Sequence, residues 1–299
     1  MSPQSIPRLR SGQAVHRPQQ ALEEKLKRVE AILEGCGRVI VAFSGGVDST
    51  LLAKLARDVL GKDHALAVTA DSPSLSRGDL EDAKRLAGRL DLHHLVIHTD
   101  EVAQPSYQAN TPARCYVCKH ELFEALEALA KARQIPVVLY GAIGDDRPDE
   151  RPGQRAATEY GVRAPLQDAG LEKWEDRELA KSLGLPNWDR PQNACLSSRI
   201  PHGLRVTEEK LHAIEQAETL LLESGFRQVR VRHLGTHARI EVGREEVGRF
   251  QDPALCQRIT AQLGALGFRS VGIDRAGYRP GGADHGSGDE IPLMVEGER

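Results

Sequence analysis

Two parts of this 299-residue sequence carry residue types that do chemistry: SGGVDS at 44–49, and the cysteines Cys115, Cys118 and Cys195. The first interrupts an apolar run, RVIVAF before it and TLLAKLA after. Val39 to Phe43 suits a strand covered on both faces, and Leu51, Leu52 and Leu55 can share one helical face. A strand that enters a Gly-rich turn and then a helix presents free backbone N–H groups, which is an anion site. The pattern is not the Walker type, because no Lys-Ser or Lys-Thr pair follows the glycines. Gly45 and Gly46 let the backbone approach a phosphate, with Ser44, Ser49 and the helix start as donors. Asp48, a carboxylate beside phosphates, serves there through magnesium.

Cys115 and Cys118 form a CxxC, which alone fits a redox pair, half a zinc site or coincidence. Cys195, in ACLSSR, adds a third thiolate. Three cysteines can hold a 4Fe-4S cluster and leave one iron open to an exogenous ligand. Zinc would need a fourth donor, for which His120 is available. Five cysteines, odd in number and unevenly spaced, do not make a disulfide framework. Cys36 and Cys256 read as small core hydrophobes.

SGGVDS resembles the PP-loop of the ATP pyrophosphatases, which cleave ATP between its α and β phosphates and transfer AMP to an acceptor. That resemblance implies an ATP site of Ala42, Ser44, Gly45, Gly46, Asp48 and Ser49, with the adenine near the end of the second strand at Thr69, Ala70 and Ser72. A PP-loop beside thiolates suggests adenylation of a substrate oxygen followed by displacement of AMP by sulfur.

The elements that must position these residues alternate. A helix from Leu22 to Leu33 precedes the first strand. HALAVTA is a second strand, SRGDLEDAKRLAGRLDL a helix capped by Ser76, HHLVIHT a third strand, residues 119–133 a helix and IPVVLYGA a fourth strand. This order predicts an α/β fold with a doubly wound parallel sheet. After Trp188 the pattern changes. PQNACLSSRIPHG reads as a linker or site loop, and a helix capped by Thr207 and ended by Gly225 follows. Paired strands FRQVRVRHLG and THARIEVG, a helix near 252–266 and a last strand near 268–274 complete a smaller α+β domain. The boundaries expected are a disordered tail over 1–20, a PP-loop domain over 21–190, the α+β domain over 191–280 and a flexible tail over 281–299.

Forty basic and 43 acidic residues give a net charge of −3, which offers no general attraction to nucleic acid. No apolar run is long enough for a membrane helix and the N-terminus lacks a signal-peptide core, so a cytoplasmic protein is expected.

AFSGGVDSTLLA, RCYVCK, RPGQRAA with GVRAPL, ACLSSRIPHG, and VRVRHLGTHARIEVG with GYRPG together resemble the LarE family. These are ATP-dependent pyridinium-3,5-biscarboxylic acid mononucleotide sulfurtransferases that serve nickel-pincer nucleotide synthesis and lactate racemase maturation. The resemblance implies adenylation of a pyridinium carboxylate, release of pyrophosphate, sulfur attack, and release of AMP and a thiocarboxylate. Family members either sacrifice the sulfur of the cysteine matching Cys195 or carry sulfide on a 4Fe-4S cluster held by three cysteines. The trio here implies the cluster type, an external sulfide donor and Cys195 as ligand, with sacrifice of Cys195 as the alternative. Ser197, Ser198, Arg199, Arg230 and Arg232 are the implied substrate-binding residues, Glu218 a catalytic or binding carboxylate, and a homo-oligomer the implied assembly. One departure is YGAIGDD after the fourth strand, where family members often read close to DGTNADD; Asp145 and Asp146 remain. The rival readings are a tRNA 2-thiolation enzyme, an amide-forming PP-loop ligase and a non-enzymatic nucleotide-binding module.

Overall fold

Val39–Ala42 forms β1 at the centre of a four-stranded parallel sheet, its residues alternately facing two separate cores. The computed structural model describes residues 16–144, 152–191, 194–279 and 289–293. Asp145 and Asp146 of the departure noted above lie outside them. Helix α1 (His16–Glu34) precedes β1, and α2 (Val47–Leu60), β2 (Ala65–Asp71), α3 (Arg77–Arg89) and β3 (His93–His98) follow it. A short α4 (Pro105–Gln108), α5 (Arg114–Arg133) and β4 (Val137–Tyr140) close the sheet in the order β3-β2-β1-β4. Val39 and Val41 pack with Leu51, Leu52 and Leu55 of α2 and with Val29 and Leu33 of α1. Ile40 faces the other way, against Phe123 and Leu126 of α5. Helices thus cover both faces, as the apolar runs of β1 and β2 require. Leu51 and Leu52 are fully buried, and each contributes roughly 1.5–3 kcal/mol of hydrophobic stabilisation. Strand order reverses between β2 and β4 on either side of β1, so a crevice opens at the carboxyl ends of β1 and β4.

After α6 (Pro152–Glu159), α7 (Pro165–Asp168) and α8 (Lys173–Ser182), the chain runs through a loop into α9 (Glu208–Glu223). The Thr207 hydroxyl accepts from the Lys210 N–H and Gly225 sits at φ 87°, so both ends of α9 fall where the sequence puts them. Strands β5 (Val229–Leu234) and β6 (His237–Val242) pair antiparallel. Helix α10 (Pro253–Ala265) crosses over to β7 (Ser270–Asp274), which lies parallel to β6. Ala217 and Leu221 of α9 and Ile259 and Leu263 of α10 cover this second sheet with Val231, Ile240 and Ile273.

Several elements differ from the sequence reading. Helix α1 begins at His16, within the tail expected over 1–20, and α5 begins at Arg114, not 119, so Cys115 and Cys118 lie in its opening turns. Helices α4, α6, α7 and α8 had no counterpart in that reading. Within the segment expected to be a flexible tail, Glu290–Leu293 forms β8, antiparallel to β7, and Glu290 accepts a hydrogen bond from His237 of β6 at 2.8 Å. Among the described residues no helix is long and apolar enough to cross a membrane.

Candidate active site

The turn after β1 is organised by its own serines. The Ser49 hydroxyl accepts from the Ser44 N–H at 3.2 Å, and the two hydroxyls are 3.0 Å apart. Gly46 precedes α2 with no side chain capping the helix, so the N–H groups of the first turn face the crevice. Gly45 stands at φ 74°, and a Cβ there would lie 3.2 Å from Ala83. Gly141 at the end of β4 is more constrained still, since a Cβ would meet the Ser49 nitrogen at 2.7 Å. Glycine at 45 therefore lets the loop pass α3, and glycine at 141 lets the end of β4 close on the loop.

Asp48 leaves the first turn of α2 and its Oδ1 accepts from the Lys173 ammonium of α8 at 2.5 Å. Behind it lies Asp176, fully buried, its two oxygens met by no donor among the described residues. Burial, and then the Asp48 carboxylate beside it, pushes the Asp176 pKa far above the usual carboxylate range. Of the pair, the partly exposed Asp48 is the carboxylate suited to a magnesium ion in the crevice.

A cavity of about 250 Å³ opens from this loop. Its wall includes Ala42, Ser44, Gly46, Asp48 and Ser49, then Thr69, Ala70 and Ser72 from the end of β2, and finally Cys118 and Cys195. The phosphate loop and two of the three cysteines thus share one space, though they come from distant parts of the chain. Thr69 is turned inward, its hydroxyl donating to the Phe43 carbonyl at 2.7 Å, so it shapes the wall more than it offers a free group. Tyr140 lines the cavity and Ile143 is buried, which is how the departure after β4 is accommodated.

Sequence reasoning missed Glu101, Lys119 and Lys173. Glu101 is buried in the cavity wall, accepting from the Ser74 hydroxyl at 2.5 Å and the Thr99 hydroxyl at 3.3 Å. Lys119, beside Cys118, lies over the rings of Phe123 and Tyr140. The KHELF context hides Lys119 as an ordinary helix residue, and only three-dimensional packing brings Glu101 and Lys173 to the site.

Burial, followed by the charges of Glu101 and Cys195, pushes the Cys118 thiol far above its ordinary pKa. Cys115 also acts on it, so both other sulfur groups reach Cys118 with their fields, and Cys115 and Cys195 are exposed. Among the described residues no group of three His, Cys, Asp or Glu side chains is assembled as a metal site. The Tyr160 hydroxyl lies 3.2 Å from the Nε2 of His120, and among the described residues His120 is not assembled with the cysteines into a metal site. Cys36 is buried and Cys256 packs partly against the second core, as expected of small hydrophobes.

The expected substrate residues lie behind Cys195 rather than on the cavity wall. Arg199 donates to the Cys195 carbonyl at 2.9 Å and to the Ser198 hydroxyl at 3.2 Å. Glu218 grips Arg199 through two contacts of 3.0 Å and also accepts from the Val231 N–H at 2.9 Å. Glu218, expected at the chemistry, makes these contacts within the scaffold that carries Cys195 and does not line the cavity. Arg232 donates to the Ser198 carbonyl at 3.1 Å and to Glu241 at 2.7 Å, and its Nε has no partner. Arg230 lies over the Tyr278 ring, and Ser197 is fully buried. Glu218→Ala leaves Arg199, 2% exposed, as an unpaired buried cation, and is expected to cost roughly 3–5 kcal/mol, read by chemical denaturation. A loss below about 1 kcal/mol, the level of an exposed pair, would contradict this placement.

Comparison with known proteins agrees with this geometry. The NAD synthase family profile matches residues 16–143, the segment that builds the phosphate loop and the first sheet. An uncharacterized protein of Synechocystis sp. is 43% identical over 260 residues, covering 87% of this chain and 97% of its own length. A tRNA-specific 2-thiouridylase of Rhizobium leguminosarum is 30% identical over 242 residues, with 67% of this chain and 59% of that protein covered. The pyridinium-3,5-bisthiocarboxylic acid mononucleotide synthase of Lactiplantibacillus plantarum is 37% identical over 260 residues, 87% of this chain and 94% of that protein. An ATP-type phosphate loop facing two cysteines, together with similarity along nearly the whole chain, places this protein in the LarE family of PP-loop sulfurtransferases.

Proposed function

We propose that this chain adenylates the carboxylates of pyridinium-3,5-biscarboxylic acid mononucleotide and converts them to thiocarboxylates. The observation that carries the reading is the single cavity lined by the phosphate loop, Cys118 and Cys195. A carboxylate oxygen of the substrate attacks the α phosphorus of ATP, and pyrophosphate leaves into the N–H groups at the start of α2. Asp48 would hold the magnesium that the phosphates bring. Sulfur then attacks the acyl carbon, and AMP leaves with the electrons of the broken C–O bond.

The donor set of Cys115, Cys118 and Cys195 supports a 4Fe-4S cluster in kind: three thiols, of which Cys118 and Cys195 line the cavity and Cys115 acts on Cys118. Such a cluster supplies a sulfide on an open iron. The chain's own part is to hold the three thiolates, to keep the acyl adenylate near them and to limit water in the cavity. The reading also takes the two sheets as separate domains joined near residue 190. It further takes the protein to be a cytoplasmic homo-oligomer serving lactate racemase maturation, with a sulfide donor to recharge it; family membership supports these points.

Iron and sulfide content of the anaerobically purified protein, with intact mass before and after turnover, tests the sulfur source. The expected result is about four irons per chain, as for a 4Fe-4S cluster, and an unchanged polypeptide mass. Iron-free protein that loses mass as Cys195 becomes dehydroalanine would replace this source with sacrifice of Cys195.

A further inference from the structure

We propose that Asn110 is the positioning residue of the sulfur half-reaction, fixing Cys195 opposite Cys118 by locking the loop over 195–206 onto the start of α5. The inference rests on the reading of Cys118 and Cys195 as sulfur-site residues.

Asn110 is fully buried and stands at φ 50°, in the left-handed region that non-glycine residues seldom occupy. Its backbone strain is compensated by what the side chain does. The amide nitrogen lies 3.2, 2.7 and 2.8 Å from the carbonyl oxygens of Ile200, Pro201 and Leu204, so two hydrogens serve three acceptors. Its side-chain oxygen accepts from Arg114, and its own carbonyl accepts from the Gly203 N–H at 3.1 Å. Arg114 in turn donates to the Ser197 carbonyl at 2.8 Å, and the Tyr107 hydroxyl lies 2.7 Å from that of Ser197.

These contacts share one geometry. Arg114 directly precedes Cys115, and Ser197 is two residues after Cys195. Leu196 is tied on its other side, donating to the Ser74 carbonyl at 2.9 Å. Under the polar clasp, Leu196, Ile200 and Val206 pack with Tyr107 and Val102, and Cys118 leans on the same cluster. The loop has no sheet or long helix of its own between α8 and α9. Its register relative to Cys118 is therefore set by this clasp, with Asn110 as the residue that contacts the most points along it.

Two variants separate the side chain from the strained backbone. Asn110→Gly keeps the left-handed conformation without strain and deletes the amide. Asn110→Asp keeps the acceptor for Arg114 and removes the donors to the loop. In both, pyrophosphate release with ATP and the pyridinium dicarboxylate mononucleotide is expected within about threefold of wild type, while thiocarboxylate formation falls roughly 100-fold, as for a reacting group displaced by about 1 Å. The Km for ATP is expected to hold, because Asn110 does not line the loop. Parallel loss of both half-reactions, or retention of both, overturns the positioning role. A wild-type protein that forms no thiocarboxylate would instead remove the functional reading. The positioning claim then still stands or falls on cross-linking of Cys118 to Cys195 by dibromobimane in the iron-free protein. Cross-linking slowed about tenfold or more in Asn110→Gly, as expected when the pair loses its fixed orientation, supports the clasp. Equal cross-linking in variant and wild type overturns it.

Discussion

Asp48→Ala is expected to lower pyrophosphate release by on the order of a thousandfold, the scale of losing a group that stabilises developing charge in a closed site. Asp48 is the carboxylate in the cavity wall that leaves the first turn of α2, and it is paired with Lys173 at 2.5 Å. Without it, Glu101 is the carboxylate left among the described residues of the cavity wall, and it already accepts from the Ser74 and Thr99 hydroxyls. Folding should survive the change. Asp48 is partly exposed in the cavity wall, so truncating it opens no void in the core. Asp48→Asn separates charge from shape and should show nearly the same loss. A folded Asp48→Ala protein that releases pyrophosphate at the wild-type rate would contradict the role of this aspartate.

Cys118→Ala is the second large effect, and it is selective. Adenylation should continue within a few-fold, since Cys118 lines the cavity from α5 and is no part of the phosphate loop, while thiocarboxylate formation falls below detection. Cys118 is a buried thiol whose pKa is driven up by burial and by Glu101, so unaided it is a poor nucleophile at neutral pH. Thiolate ligation to a soft metal takes that proton and turns the same residue into a donor. Measuring pyrophosphate and thiocarboxylate in the same reaction distinguishes the two outcomes. Equal loss of both in a folded Cys118→Ala protein would contradict the division of labour between loop and cysteines.

The phosphate loop was legible because an anion site of this kind is local: glycines, serines and a helix start within six residues specify it. The parallel sheet was legible for the same reason, through short apolar runs alternating with helices. Cys195 could be singled out by its residue type, yet only the fold shows it in the same cavity as Cys118. Lys173 and Asp176 were not legible, because α8 carries no sequence mark that it packs against α2 and reaches Asp48. The contacts of Glu218 were not legible either: two to Arg199 and one from the Val231 N–H tie its carboxylate into the scaffold. Strand β8 was hidden by its four-residue length and by Pro292 within it; an edge strand tolerates a proline, and pairing with β7 supplies what the local sequence lacks. The early start of α5 was hidden because Ala113 stands at its N-cap and offers no capping side chain to mark it.

The measurement that tests the central claim most directly is a single-turnover reaction of the purified protein with ATP, magnesium and pyridinium-3,5-biscarboxylic acid mononucleotide, without RNA and without ammonia. Pyrophosphate, AMP and thiocarboxylate would be quantified together. The account predicts AMP and pyrophosphate released in step with each thiocarboxylate formed. A requirement for RNA, or AMP formation that depends on ammonia and yields no sulfur product, would contradict it.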